Sequence, residues 1–200
     1  MRVAGGGRRA IVSPMRLRHL LALLPFTLAV CGAHADSAVP AQGGETEYNL
    51  GVAAFRAEDY AEARRHWQLC ALEEDAPPEV FNNLGYLLHE GLGGDADLEG
   101  SIVLWRKAAE LGVSESQMHL GAAYEYGEGV EQDLVEAYAW ERLAMSTSLA
   151  AGDVDVEAVI RKIIQRQLDR LREVMTPAEL DEGGLRGDRY ILRFATRRPA

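Results

Sequence analysis

Residues 84–112 read LGYLLHEGLGGDADLEGSIVLWRKAAELG, and residues 120–144 read LGAAYEYGEGVEQDLVEAYAWERLA. At an offset of 36 residues, Leu84 meets Leu120, Gly85 meets Gly121, Gly91 and Gly93 meet Gly127 and Gly129, Asp97 meets Asp133, and Ala108 meets Ala144. Ser101 meets the small Ala137, while Trp105 and Trp140 fall one place out of register. Self-similarity at a period of about 20 to 50 residues marks a chain built from stacked supersecondary units. Leu50-Gly51, 34 residues before Leu84-Gly85, adds an earlier unit.

Each unit reads as two antiparallel helices. Leu84 and Leu88 share one face of the first helix, and Gly85 beside them lets a partner helix approach closely. Gly91-x-Gly93 and Gly127-x-Gly129 stop that helix, since glycine supplies the left-handed conformation wanted past a helix end. Asp97 and Asp133 stand where the second helix starts, suited to accept the orphan N–H groups there. Trp105 or Trp140 then fills the space between helices. The first unit keeps the plan without the glycine loop: Tyr48, Leu50, Gly51 and Phe55 mark one helix, Ala63, Trp67 and Cys70 the other, Glu58-Asp59 the turn, and Pro77-Pro78 the end.

On these residues, units two and three resemble Sel-one-like repeats, a branch of the tetratricopeptide-like superfamily, with Gly94 where that family prefers valine. The first unit looks like a tetratricopeptide repeat, with Leu50, Gly51, Ala63 and Trp67 in its small and large positions. The resemblance covers residues 45 to about 150 and implies an all-α fold, an α-solenoid of antiparallel helical hairpins. The expected repeats span residues 45–80, 81–112 and 113–152.

Both ends depart from the repeat. Residues 1–35 hold five arginines and no acid, then the 11-residue apolar run Leu20 to Val30, then Ala33-His34-Ala35. This reads as a secretory signal peptide cleaved after Ala35, too short to span a bilayer, and it places the protein in the bacterial periplasm, with 36–44 as a short linker. Leu28-Ala29-Val30-Cys31 is the competing lipoprotein reading, weakened by Val30 where a small residue is wanted. Arg8-Arg9 matches a twin-arginine signal only superficially, and Met15 opens a complete signal of its own. Apolar positions from Val154 to Val174 recur at helical spacing, and Thr176-Pro177-Ala178-Glu179 starts a further helix. Residues 153–183 are therefore expected to be a capping helix pair over the last repeat. Residues 184–200 carry a net charge of +4 and read either as a frayed basic tail or as a segment that folds back on the body or touches anionic lipid or a partner.

The 200 residues carry 21 basic and 31 acidic side chains, and 48% are hydrophobic. The apolar content excludes a disordered acidic polymer, and the charge excludes a nucleic-acid surface built on positive residues. Beyond residue 35 the balance is −15. No GxSxG, GxxxxGK[ST], HExxH, SxxK or CxxC motif occurs, and His66, His89 and His119 are too far apart for paired metal ligands. No catalytic residue, metal or cofactor is expected. Some cysteine-rich secreted members of the resembled family are linked to penicillin binding or β-lactamase activity, but this chain lacks their paired cysteines. The reading is a non-enzymatic scaffold that binds a protein or peptide of basic character on the concave face lined by the first helices, near Asn49, Asn82, Asn83, Tyr86, Tyr124 and Tyr126. The alternatives are a cell-wall enzyme or its regulator, and a structural subunit of a secretion or exopolysaccharide complex.

Overall fold

The computed structural model describes residues 43–151 and 155–195. The expected signal peptide, with Met15 and Cys31, and most of the expected linker lie outside them. Eight helices and no strand occur among the described residues: α1 Gly43–Arg56, α2 Tyr60–Cys70, α3 Pro78–Glu90, α4 Leu98–Glu110, α5 Ser114–Tyr126, α6 Leu134–Ala151, α7 Asp155–Val174 and α8 Pro177–Ala195. The first six pair as α1/α2, α3/α4 and α5/α6, and each hairpin packs on the next. The chain is an all-α solenoid. Two boundaries differ from the sequence reading: α1 starts at Gly43, inside the expected linker, and the 80/81 division falls within α3, whose first residue is Pro78.

Local chemistry explains the hairpins. The second helix of every hairpin is capped by an aspartate: Asp59 accepts from the Glu62 N–H (3.2 Å), Asp97 from Gly100 (2.8 Å) and Asp133 from Glu136 (2.9 Å). Each cap satisfies one of the orphan donors of a helix start. The two glycines of each loop have separate tasks. Gly91 and Gly127 end α3 and α5 at φ of 68° and 70°. Gly93 and Gly129 let the loop touch the preceding hairpin, because a Cβ there would stand 2.2 Å from the Tyr60 carbonyl oxygen and 2.5 Å from that of Leu98.

The core forms three clusters, one at each junction between successive units. Val52, Trp67, Phe81, Leu84 and Leu87 join hairpins one and two. Ile102, Trp105, Leu120, Trp140 and Leu143 join two and three. Met118, Tyr138, Ile160, Ile164, Leu168 and Leu171 join hairpin three to α7. Within a hairpin, the glycine of the first helix faces a large side chain of the second. A Cβ on Gly51 would be 2.3 Å from the Trp67 ring, and one on Gly85 would be 2.7 Å from Trp105. In the third hairpin the group facing Gly121 is Glu141, at 2.5 Å. Trp140, one residue earlier and so about 100° around the helix, turns to the other side and packs on Tyr190 and Phe194 of α8. Trp140 thus fills space between helices as expected, in one cluster with Leu120 and Ala123 of α5 and Phe194 of α8, but the slot against Gly121 belongs to Glu141.

The C-terminal boundary at 183/184 is also corrected. The helix that starts at Pro177 continues to Ala195, so the basic segment 184–195 is neither frayed nor separate. Thr176 and Glu179 close a reciprocal capping box (2.7 and 3.4 Å). Gly183 and Gly187, one turn apart, bring α8 close to Tyr138 and Arg142 of α6. Arg186 pairs with Glu136 (2.8 Å) and Glu182 (2.7 Å), Arg142 pairs with Asp188, and the Tyr190 hydroxyl donates to Glu136 (2.6 Å). Burial of its ring, then this hydrogen bond, push the Tyr190 pKa up. The two capping helices lie on α6 and make fewer contacts with each other.

Candidate functional site

Helices α3, α5 and α7 run side by side, and polar side chains tie them together across the face they share. The Asn82 amide donates to Glu115 (3.0 Å) and its oxygen accepts from Ser116 (2.6 Å), which links α3 to α5. The Ser114 hydroxyl reaches both oxygens of Glu157 (3.0 and 3.1 Å), which links α5 to α7. Near the other end of α5, Arg170 grips Glu125 with two hydrogen bonds of 2.6 Å and lies over the Tyr126 ring. Two parallel N–H···O bonds fix both position and angle.

Between the first set of ties and α1 lies a cleft of about 140 Å³, lined by Tyr48, Glu79, Asn82, Asn83, Ser114, Glu115, Glu157 and Ile160. Its character is acidic. Three carboxylates converge there with no lysine or arginine among the lining residues. Glu115 and Glu157 are engaged within the chain, whereas Glu79 takes no hydrogen bond or ion pair among the described residues. A concave, low-dielectric wall of one sign concentrates ions of the other.

Of the six side chains expected on the concave face, Asn82 and Asn83 line this cleft. Both are buried, so they shape it more than they offer surface. Asn49 is exposed on α1. Tyr86 is half-buried against Phe55 of the first hairpin, and burial, followed by Glu90, raises its pKa to about 12. Tyr126 stands beside Arg170, away from the cleft lining; burial, then Glu125, takes it also to about 12. Tyr124 accepts a hydrogen bond from Arg106 of α4 (2.6 Å), and so turns toward the second helices. The carboxylates went unread in the sequence, although Glu79 and Glu115 stand 36 residues apart. The repeat offset itself would have placed them on one face.

Other clusters are structural in geometry. His89 is fully buried, bonded to Glu90 (2.8 Å) and Glu128 (3.1 Å), and stacks near Trp105, whose other neighbour is His119 at 4.6 Å between ring centres. Cys70 is buried, and desolvation, then Glu73, lifts its thiol to about 11, far from a reactive thiolate. Among the described residues no group of three or more His, Cys, Asp or Glu is placed to hold a metal ion. Glu125 and Glu141 form a carboxyl pair in different environments, but Glu141 is fully buried and lines no described cavity. No helix among the described residues is long and apolar enough to cross a membrane.

The Sel1 repeat family matches residues 82–113 and 114–144. A solved structure, that of a protective antigen present in uropathogenic Escherichia coli strains and displaying an SLR fold, is similar at 27% identity and a TM-score of 0.64, over 76% of this chain and 31% of that one. The chain therefore spans about a third of that relative's length. A Sel1 repeat protein from Oxalobacter formigenes is similar at 26% identity and a TM-score of 0.45, over 76% of this chain and 68% of that one. No curated protein matches. A repeat scaffold of this kind suits protein interaction. Residues 82–144 thus match two consecutive Sel1 repeats, set in an all-α solenoid similar to that of an SLR-fold protein.

Proposed function

We propose that this protein is a non-enzymatic scaffold or adaptor of the bacterial cell envelope that binds a protein or peptide of basic character in the concave cleft. The observation that carries the reading is the convergence of Glu79, Glu115 and Glu157 from α3, α5 and α7 on one cleft. Its carboxylates suit a lysine or arginine side chain, and the buried Asn82 and Asn83 fix its shape. The negative balance of the chain beyond residue 35 would steer such a partner at long range, with an association that weakens as salt rises. The envelope assignment is supported by the basic, apolar and small-residue order of residues 1–35.

The test is in-cell crosslinking followed by recovery from the envelope fraction, with the wild type beside the Glu79→Gln, Glu157→Gln double variant. A partner captured by the wild type and lost in the variant supports the cleft. Equal capture by both places binding elsewhere, and recovery of the protein from the cytoplasm alone overturns the envelope assignment.

A further inference from the structure

Helix α8 leaves apolar surface open. Leu185 is 66% exposed and Leu192 is 73% exposed, although a terminal unit of a solenoid is expected to turn a polar outer face to water. Residues four and seven apart share one side of a helix. Ala178, Asp181, Leu185, Arg189 and Leu192 are spaced in that way, and all five are exposed. The other charges of α8 are engaged within the chain: Arg186 with Glu136 and Glu182, Asp188 with Arg142, Glu179 with Thr176, and Arg193 over the Phe194 ring. Asp181 and Arg189 take no hydrogen bond or ion pair among the described residues. They have opposite sign and stand four residues to either side of Leu185.

That pattern is self-complementary. When two copies of the helix lie antiparallel about a two-fold axis at Leu185, each residue faces the one equally far from Leu185 on the other side. Leu185 then meets the partner's Leu185, Arg189 meets the partner's Asp181, and Leu192 meets the small side chain of the partner's Ala178. We propose that α8 is a self-association face, on which a second copy of this chain packs in this antiparallel register, covering Leu185 and Leu192 and pairing Arg189 with the partner's Asp181 in both directions. Such a contact uses the same patch on both subunits and closes at the dimer. A 19-residue helix is about 28 Å long and 10 Å across. One helix on one helix therefore covers less than the roughly 800 Å² per partner of a standard interface, and the dimer is reversible and concentration-dependent. The helix packs on α6 and lines no part of the acidic cleft, so the inference stands apart from the reading of that cleft.

Sedimentation equilibrium of the purified chain over a range of concentrations tests this, with circular dichroism to confirm that each variant is folded. The wild type is expected to pass from monomer to dimer as concentration rises. Leu185→Lys, which sets two like charges on the axis, is expected to stay monomeric. Arg189→Asp and Asp181→Arg, each made alone, are expected to weaken the dimer by about tenfold or more. The two together restore an opposite-charge pair and are expected to return the affinity to within about threefold of the wild type. A wild type that is monomeric throughout, a species larger than a dimer, or a dimer untouched by Leu185→Lys would overturn the proposal. A double variant as weak as the single ones would do the same.

Discussion

The carboxyl group of Glu141 lies against Gly121 where, one hairpin earlier, the ring of Trp105 lies against Gly85. The two large residues are 36 positions apart, so a charged side chain occupies an aromatic slot of the repeat. Glu141 is fully buried, and neither of its oxygens has a partner among the described residues. Burial, then the Glu125 carboxylate, raise its pKa well above the ordinary value of 4.5, while Arg170 opposes them. The folded chain thus holds this proton where the unfolded chain gives it up.

A pH dependence follows, with a definite sign. Because the folded pKa is the higher one, the stability linked to Glu141 is full below the unfolded pKa and is lost as pH rises toward the folded pKa. Urea unfolding of the wild type is expected to show falling stability above about pH 5, whereas Glu141→Gln, which cannot ionise, shows a flatter profile and gains on the wild type at about pH 8. Parallel profiles for the two proteins would contradict a buried protonated Glu141.

The Gly85 contact sets a steric prediction. A methyl group there would stand 2.7 Å from Trp105 Cδ1 and Nε1, and the rigid ring is fully buried. Gly85→Ala is expected to cost about 1 to 3 kcal/mol by overpacking, read as a lowered urea midpoint. Gly121→Ala is expected to cost less, because the facing group is a Glu side chain that can swing aside.

The Arg170–Glu125 clamp joins hairpin three to α7. Glu125 is nearly buried, with 8% of its side chain exposed, while Arg170 keeps 35%. Removing the cation strands the carboxylate, so Arg170→Met is expected to cost about 2 kcal/mol, and adding Glu125→Gln to it should restore part of the loss. A double-mutant cycle checks this. A double variant whose loss equals the sum of the Arg170→Met and Glu125→Gln losses would show that the pair is not coupled.

The last turns of α8 are structural. Phe194 is buried with Trp140 and Tyr190, and Phe194→Ala is expected to lose about 3 kcal/mol or more. Tyr190→Phe removes the bond to Glu136 and should cost about 1 kcal/mol. Thermal unfolding measures both; a Phe194→Ala variant as stable as the wild type would mean that α8 does not hold its end of the solenoid.

Hairpins, loops and the solenoid were legible because backbone demands recur with the repeat: a left-handed cap at Gly91 and Gly127, a close approach at Gly93 and Gly129, a carboxylate cap at Asp97 and Asp133. What misled was reading each signal locally. The basic segment from residue 184 read either as a frayed tail or as a segment folding back on the body, and residues 184–195 do the second: Arg186 and Asp188 are matched by Glu136 and Arg142, which lie about 50 residues earlier in sequence. No local pattern reports such a pairing. Trp140 was set beside Trp105 by residue type, although the offset of 36 assigned that slot to Glu141. The acidic cleft was missed for the opposite reason. Amides and aromatic rings are favoured by residue type, and in a chain with 31 acidic residues no single carboxylate stands out by type.

The most direct test of the central claim is the affinity of the purified chain for a short arginine-containing peptide at low and high salt, beside its uncharged citrulline counterpart and the Glu79→Gln, Glu157→Gln variant. The account predicts binding that weakens with salt, is lost with citrulline, and falls by about fivefold or more in the variant. Equal binding of the two peptides, or an affinity unchanged in the variant, would contradict it.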